Sequence, residues 1–119
     1  MHKPLISEVN EKNGMNTNKF SMLGKYKRYS DAEWLELLKM SVTERVIDGF
    51  TFPSFPGKDV QERFVGSSYE TALTEAFEFY TFLKHVTAKL GKRLSEQSSI
   101  LDFGCGWGRF IRLFMIDVA

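Results

Sequence analysis

At 119 residues, with 43% hydrophobic and 26% charged side chains, the chain has room for one domain of ordinary size and the composition of a soluble globular protein. Its formal net charge of +1 argues against strong steering toward nucleic acid or an anionic membrane. One cysteine, Cys105, excludes an internal disulfide framework, and with only His2 and His85 beside it no zinc site of ordinary ligand spacing can be assembled.

Residues 1–29 are polar and carry no period of two or 3.6, with Asn10, Asn13, Asn16 and Asn18 set among lysines and small residues. They read as a mobile arm, with Phe20, Met22, Leu23, Tyr26 and Tyr29 as local docking points. No apolar h-region follows Met1, and no run approaches the ~18 apolar residues of a membrane span, so a cytoplasmic protein without membrane contact is expected.

Residues 30–97 read as a helical cap. Ser30 with Glu33 forms a capping box, and Trp34, Leu37, Leu38, Val42, Val46 and Ile47 then recur at helical spacing, predicting a helix over about 31–47 that Gly49 stops. Between 49 and 67, Pro53, Pro56 and Gly57 interleave with Phe50, Phe52 and Phe55, which predicts an irregular loop covering something apolar, with a short helical turn at 58–63. Ser67 and Glu70 suggest a second capping box and a long helix over about 68–90. Ala72, Leu73, Ala76, Phe77, Tyr80 and Leu83 trace one face of it. Phe79, Phe82, Val86 and Leu90 widen that face, as if two neighbours cover it. The aromatic set Phe77, Phe79, Tyr80 and Phe82 reads as core, and Glu75 and Glu78 as solvated charges. Gly91 supplies the stop.

Residues 98–119 change character. Ile100–Phe103 is a short apolar strand, followed by glycines and then by an apolar helix from Arg109 to Ile116. Helices, strand, glycine turn and helix in that order form the entry to an α/β fold with a buried parallel strand, mostly α within these residues. A strand-to-helix turn aims unpaired N–H groups above the strand's C-terminal edge, and glycines let a ligand approach the backbone closely. Dinucleotide sites space these glycines Gly-x-Gly-x-x-Gly around a pyrophosphate. Here Gly104, Gly106 and Gly108 are one residue tighter, and Asp102 at the strand end would repel a pyrophosphate. The carboxylate suits a ligand with positive charge and hydroxyl or ammonium donors.

The run Asp102-Phe103-Gly104-Cys105-Gly106-Trp107-Gly108-Arg109 resembles motif I of the class I S-adenosylmethionine-dependent methyltransferases, Asp/Glu-x-Gly-x-Gly-x-Gly. The phrase Arg63-Phe64-Val65-Gly66-Ser67-Ser68 and the long helix before the motif resemble a bacterial subgroup of that family, over roughly residues 50–118. The resemblance implies a Rossmann-like core with S-adenosylmethionine as cofactor. Asp102 would hold its amino end, directly or through water, backbone groups near Phe103, Gly104 and Cys105 would line the methionine pocket, and the turn with Gly106 and Gly108 would pack under it. It names neither a catalytic residue nor the methyl acceptor. In the family the ribose-binding acidic residue closes the next strand, about 20 residues after the turn by analogy with dinucleotide folds. The chain reaches Ala119 before that, so an N-terminal fragment, inactive alone, is expected. The alternative is a non-catalytic interaction module whose exposed strand edge pairs with another chain, self-association included. A dinucleotide-binding oxidoreductase remnant is disfavoured by the glycine spacing and Asp102.

The remaining polar residues near the turn have plainer readings. Cys105 has no histidine near it in sequence to support nucleophilic chemistry. Trp107 reads as packing beside the turn, with stacking on a ligand the alternative. Arg109 and Arg112 read as a solvated face ahead of an anion site. Ser67 reads as an N-cap; the resemblance implies, as the alternative, that Arg63, Phe64, Gly66 and Ser67 belong to a lid over the cofactor.

Overall fold

The computed structural model describes residues 29–118; the expected arm lies outside these residues except for Tyr29. The described residues form four helices and one hairpin. Helix α1 is Asp31–Met40, strands β1 and β2 are Val46–Ile47 and Phe50–Thr51, and helices α2, α3 and α4 are Lys58–Val65, Tyr69–Lys89 and Arg109–Val118. Among the described residues no helix is long and apolar enough to cross a membrane.

Helix α1 starts where its capping box sets it. Ser30 Oγ accepts from the Glu33 N–H at 3.1 Å, and Glu33 Oε1 accepts from the Ser30 N–H at 2.9 Å. The bond to the Ser30 backbone, then that to its side chain, holds the Glu33 carboxyl below its ordinary pKa. The helix ends at Met40, not at 47. Buried Ser41 caps it, its hydroxyl donating to Leu38 O at 2.5 Å. Val46 and Ile47 belong instead to an antiparallel hairpin, in the register Val46 to Thr51 and Ile47 to Phe50. Asp48 and Gly49 both have positive φ, 50° and 83°, as the tight hairpin turn with two left-handed centres requires. Asp-Gly between apolar pairs was the signal for it, and Gly49 is a turn residue, not a helix stop.

The core lies where α1, the hairpin, α3 and α4 meet. Trp34, Leu38, Phe50, Phe52, Leu73, Tyr80 and Leu113 are at most 2% exposed. Each such side chain contributes ~1.5–3 kcal/mol by leaving water. Trp34 Nε1 donates to Leu113 O at 3.0 Å, tying α1 to α4. Phe114 meets the Tyr80 ring edge-on at 5.0 Å. On α3 the buried face is narrower than expected: Tyr80 is buried and Phe77 partly so, but Phe79 and Phe82 are 48% and 58% exposed. They stack on each other at 6.4 Å, and Phe79 also touches Phe110. Two neighbours, α1 and α4, do pack on α3, as the widened stripe implied, but they cover Phe79 and Phe82 only in part.

A polar knot joins three helices at the other end of the core. Lys84 Nζ donates to Asp31 Oδ1 and Asp117 Oδ1, both at 2.8 Å, and to the Tyr80 hydroxyl at 3.0 Å. Tyr80 in turn donates to Asp117 Oδ2 at 2.7 Å. Burial pulls the Lys84 ammonium down, but its bonds and attraction to Asp117 and Asp31 outweigh that and raise its pKa. Burial, then the hydrogen bond to Asp117, raises the Tyr80 phenol.

The expected strand at Ile100–Phe103 is absent: no strand pairs with it among the described residues, and Leu101 and Phe103 are 88% and 94% exposed. Strand geometry persists through ladder bonds to a neighbour, and this segment has none. The architecture is therefore mostly helical with one small antiparallel sheet.

Candidate cofactor site at the glycine turn

The turn between Asp102 and α4 is built on left-handed backbone. Gly104, Gly106 and Gly108 have φ of 69°, 57° and 80°, a region that side chains bearing a Cβ rarely enter. Their surroundings differ. A Cβ at Gly108 would meet Ile111 Cγ2 at 3.0 Å, so this glycine also lets the turn close onto α4. A Cβ at Gly104 or Gly106 would meet nothing within 4 Å. The first two glycines thus face open space. The Gly108 N–H donates to Cys105 O at 2.9 Å, and Gly108 O accepts the Arg112 N–H at 3.1 Å, opening α4. Cys105 and Phe103 are exposed, and Asp102 is half-buried.

Two remote segments pack against the end of the turn. Trp107 is half-buried with its ring 5.3 Å from that of Phe55, which also lies 6.2 Å from Tyr69. Phe55 belongs to the proline-bearing loop, so that loop does cover an apolar surface. Buried Gln61 holds the loop from one side, donating to Pro56 O at 2.8 Å while its Oε1 accepts the Tyr69 N–H at 2.7 Å. Tyr69 starts α3 at a φ of 50°, a strained value for a tyrosine. Helix α3 has Ser68 as N-cap, whose hydroxyl donates to Glu62 Oε1 at 3.4 Å and makes no capping bond, so the expected box of Ser67 and Glu70 does not form. Ser67 instead donates to Glu75 Oε2 at 2.7 Å, and that oxygen lies 3.9 Å from Arg109 Nη1. Glu75 is thus exposed but engaged, and the Arg63–Ser67 phrase is linked to the first residue of α4.

Arg112 departs most from expectation. It is 3% exposed, not on a solvated face. Its guanidinium donates to Pro53 O at 2.6 Å and Ser54 O at 2.5 Å, lies 3.5 Å from Trp107 O, and stacks 4.2 Å over Phe55. Burial pulls its pKa down to about 10, which leaves it charged at neutral pH. The periodicity held the signal: Arg112 shares a face with buried Met115 and Ile116 at i+3 and i+4. Nothing comparable marked Gln61.

Four buried side-chain polar atoms lack a hydrogen-bond partner among the described residues: Asp102 Oδ2, Trp107 Nε1, Arg109 Nη1 and Arg112 Nε. All four lie between Asp102 and Arg112. A buried polar atom left unpaired costs ~1–3 kcal/mol, so native proteins rarely keep several together without a reason. Asp102 Oδ2 is an acceptor and the other three are N–H donors, of which Arg109 Nη1 keeps its 3.9 Å ion pair to Glu75. Two surface depressions lie elsewhere: one of about 590 Å³ beside Lys39, Val42 and Tyr69, and one of about 370 Å³ beside Ser95 and Asp117. Among the described residues no group of three or more His, Cys, Asp or Glu could hold a metal ion. No known protein family, curated protein or solved structure matches the chain.

Proposed function

We propose that these residues form the methionine-end half of an S-adenosylmethionine site, in a methyltransferase whose acceptor the site does not identify. What supports the reading is the buried Asp102 Oδ2, left without a hydrogen-bond partner among the described residues two residues before the first of two glycines that face open space. The open backbone at Gly104 and Gly106 admits a ligand to van der Waals distance. Asp102 offers a carboxylate oxygen to an ammonium, and the backbone from Phe103 to Cys105 flanks it, with Gly106 and Gly108 shaping the turn. When bound, S-adenosylmethionine supplies a methyl group activated on a sulfonium. The chain's part is to orient the ligand and exclude water, with no covalent protein intermediate. The ribose and adenine ends require a Rossmann-like sheet with an acidic strand end, and the described residues form only a two-stranded antiparallel sheet. Alone they are expected to bind weakly and not to turn over.

Amide chemical shifts test this. Millimolar S-adenosylmethionine is expected to move the Gly104 and Gly106 signals, and Asp102→Asn to abolish the movement. Equal or larger shifts with a nicotinamide dinucleotide would overturn the cofactor assignment. Stoichiometric sub-millimolar binding would overturn the half-site.

Leu101 and Phe103, 88% and 94% exposed beside an unpaired backbone, favour a second reading. The segment Ile100–Phe103 would pair with a strand of another chain, making this a non-catalytic interaction module. Light scattering separates the two: association abolished by Phe103→Lys supports the module, and a monomer at all concentrations counts against it.

A further inference from the structure

We infer that Arg112 is the positioning residue of the glycine turn: its buried guanidinium locks the turn, through Trp107, against the Pro53–Pro56 loop. The inference concerns the shape of the turn and holds whichever ligand the turn takes.

A guanidinium 3% exposed ordinarily has a carboxylate partner, because desolvating a lone cation is costly. Arg112 has none among the described residues. Its bonds go to backbone carbonyls of two segments far apart in sequence, Pro53 and Ser54 on one side and Trp107 on the other. Its plane is stacked on Phe55 at 4.2 Å and lies 5.2 Å from the Trp107 ring. These contacts are aimed at the loop and the end of the turn, not at the helices of the core. A planar fork of donors can bridge two carbonyls and stack at once, and a lysine ammonium cannot. Trp107 adjoins Gly106 and Gly108, so fixing its carbonyl and ring fixes the backbone on both sides of it. The loop carrying Phe55 thereby becomes a wall of the candidate site.

Amide hydrogen exchange in the purified chain distinguishes positioning from a general contribution to stability. The Gly108 N–H, bonded to Cys105 O, reports the turn, and the Ala76 N–H in the middle of α3 reports the core. In Arg112→Met and Arg112→Lys, Gly108 is expected to exchange about tenfold faster or more while Ala76 is unchanged. Equal acceleration at both amides, or none at Gly108, would overturn the proposal. Phe55→Leu removes the stack but leaves both loop carbonyls, and it covers the case in which an Arg112 variant does not fold. It should accelerate Gly108 more than Ala76 and raise acrylamide quenching of Trp107, with fully buried Trp34 as the internal reference. Wild-type values for both in Phe55→Leu would likewise count against the proposal.

Discussion

Replacing each glycine of the turn by alanine separates two demands that the sequence motif merges. At Gly104 and Gly106 the new methyl enters open space, and the cost is that of holding an L-residue at positive φ, ~1–2 kcal/mol. The alanine also stiffens the unfolded chain, which for Gly→Ala offsets ~0.4–1 kcal/mol. The net expectation is a loss of about 1 kcal/mol at each of these positions. Gly108→Ala carries the same backbone cost and must also push Ile111 Cγ2 away from 3.0 Å, a local overpacking of ~1–3 kcal/mol. Its total loss is therefore about 2–4 kcal/mol. Urea unfolding followed by far-ultraviolet circular dichroism measures all three against wild type, provided the slope with denaturant is unchanged. If Gly108→Ala falls within about 0.5 kcal/mol of Gly106→Ala, the turn does not close onto Ile111 as described. If Gly104→Ala stabilises the chain, its left-handed backbone is wrong. Gly106→Ala, at about 1 kcal/mol the milder change for folding, should in addition weaken any ligand that covers the turn.

Other expectations concern the frame that holds the turn. Trp34→Phe removes the N–H donated to Leu113 O and leaves a small void, for a loss of about 2–3 kcal/mol in urea unfolding. Ser30→Ala removes one half of the capping box and should cost about 1 kcal/mol. Lys84→Met leaves Asp31 and Asp117 facing each other without their cation; since the three groups are partly solvated, the loss at neutral pH is expected to be only about 1–2 kcal/mol. Lys84 and Tyr80 both have pKa values raised by folding. Their stabilisation is therefore complete below their ordinary values of 10.5 and 10.0 and is lost as pH rises through that region and beyond. Urea midpoints should fall above about pH 10, and less steeply in Lys84→Met; a midpoint that rises there would contradict the knot.

Where local chemistry decides the conformation, the sequence could be read directly. The Ser30 box, the long amphipathic α3, the stop at Gly91 and the start of α4 at Arg109 all depend on near neighbours. The end of α1 and the hairpin differ from the pattern because the apolar spacing of Val42, Val46 and Ile47 continues a helical stripe, whereas Asp48-Gly49 favours a turn that overrides it. Ile100–Phe103 has the composition of a buried strand, but a strand needs partners that composition does not provide. Asp102 and the three glycines were legible as a turn. Its neighbours were not, because Phe55, Gln61 and Arg112 act across dozens of residues through backbone carbonyls, which carry no residue-type signature.

The knot of Lys84, Asp31, Tyr80 and Asp117 has a mechanical consequence. It fastens the first turn of α1 and the last turn of α4 to the same point on α3. The Trp34–Leu113 bond fastens the same two helices a second time, about a turn away along α4. Two fastenings on one helix remove its freedom to pivot, so α4 cannot swing relative to the rest of the core when a ligand arrives. Adjustment on binding is then left to the short stretch between Ile100 and Cys105, which hangs from a rigid mount like a latch from a fixed frame.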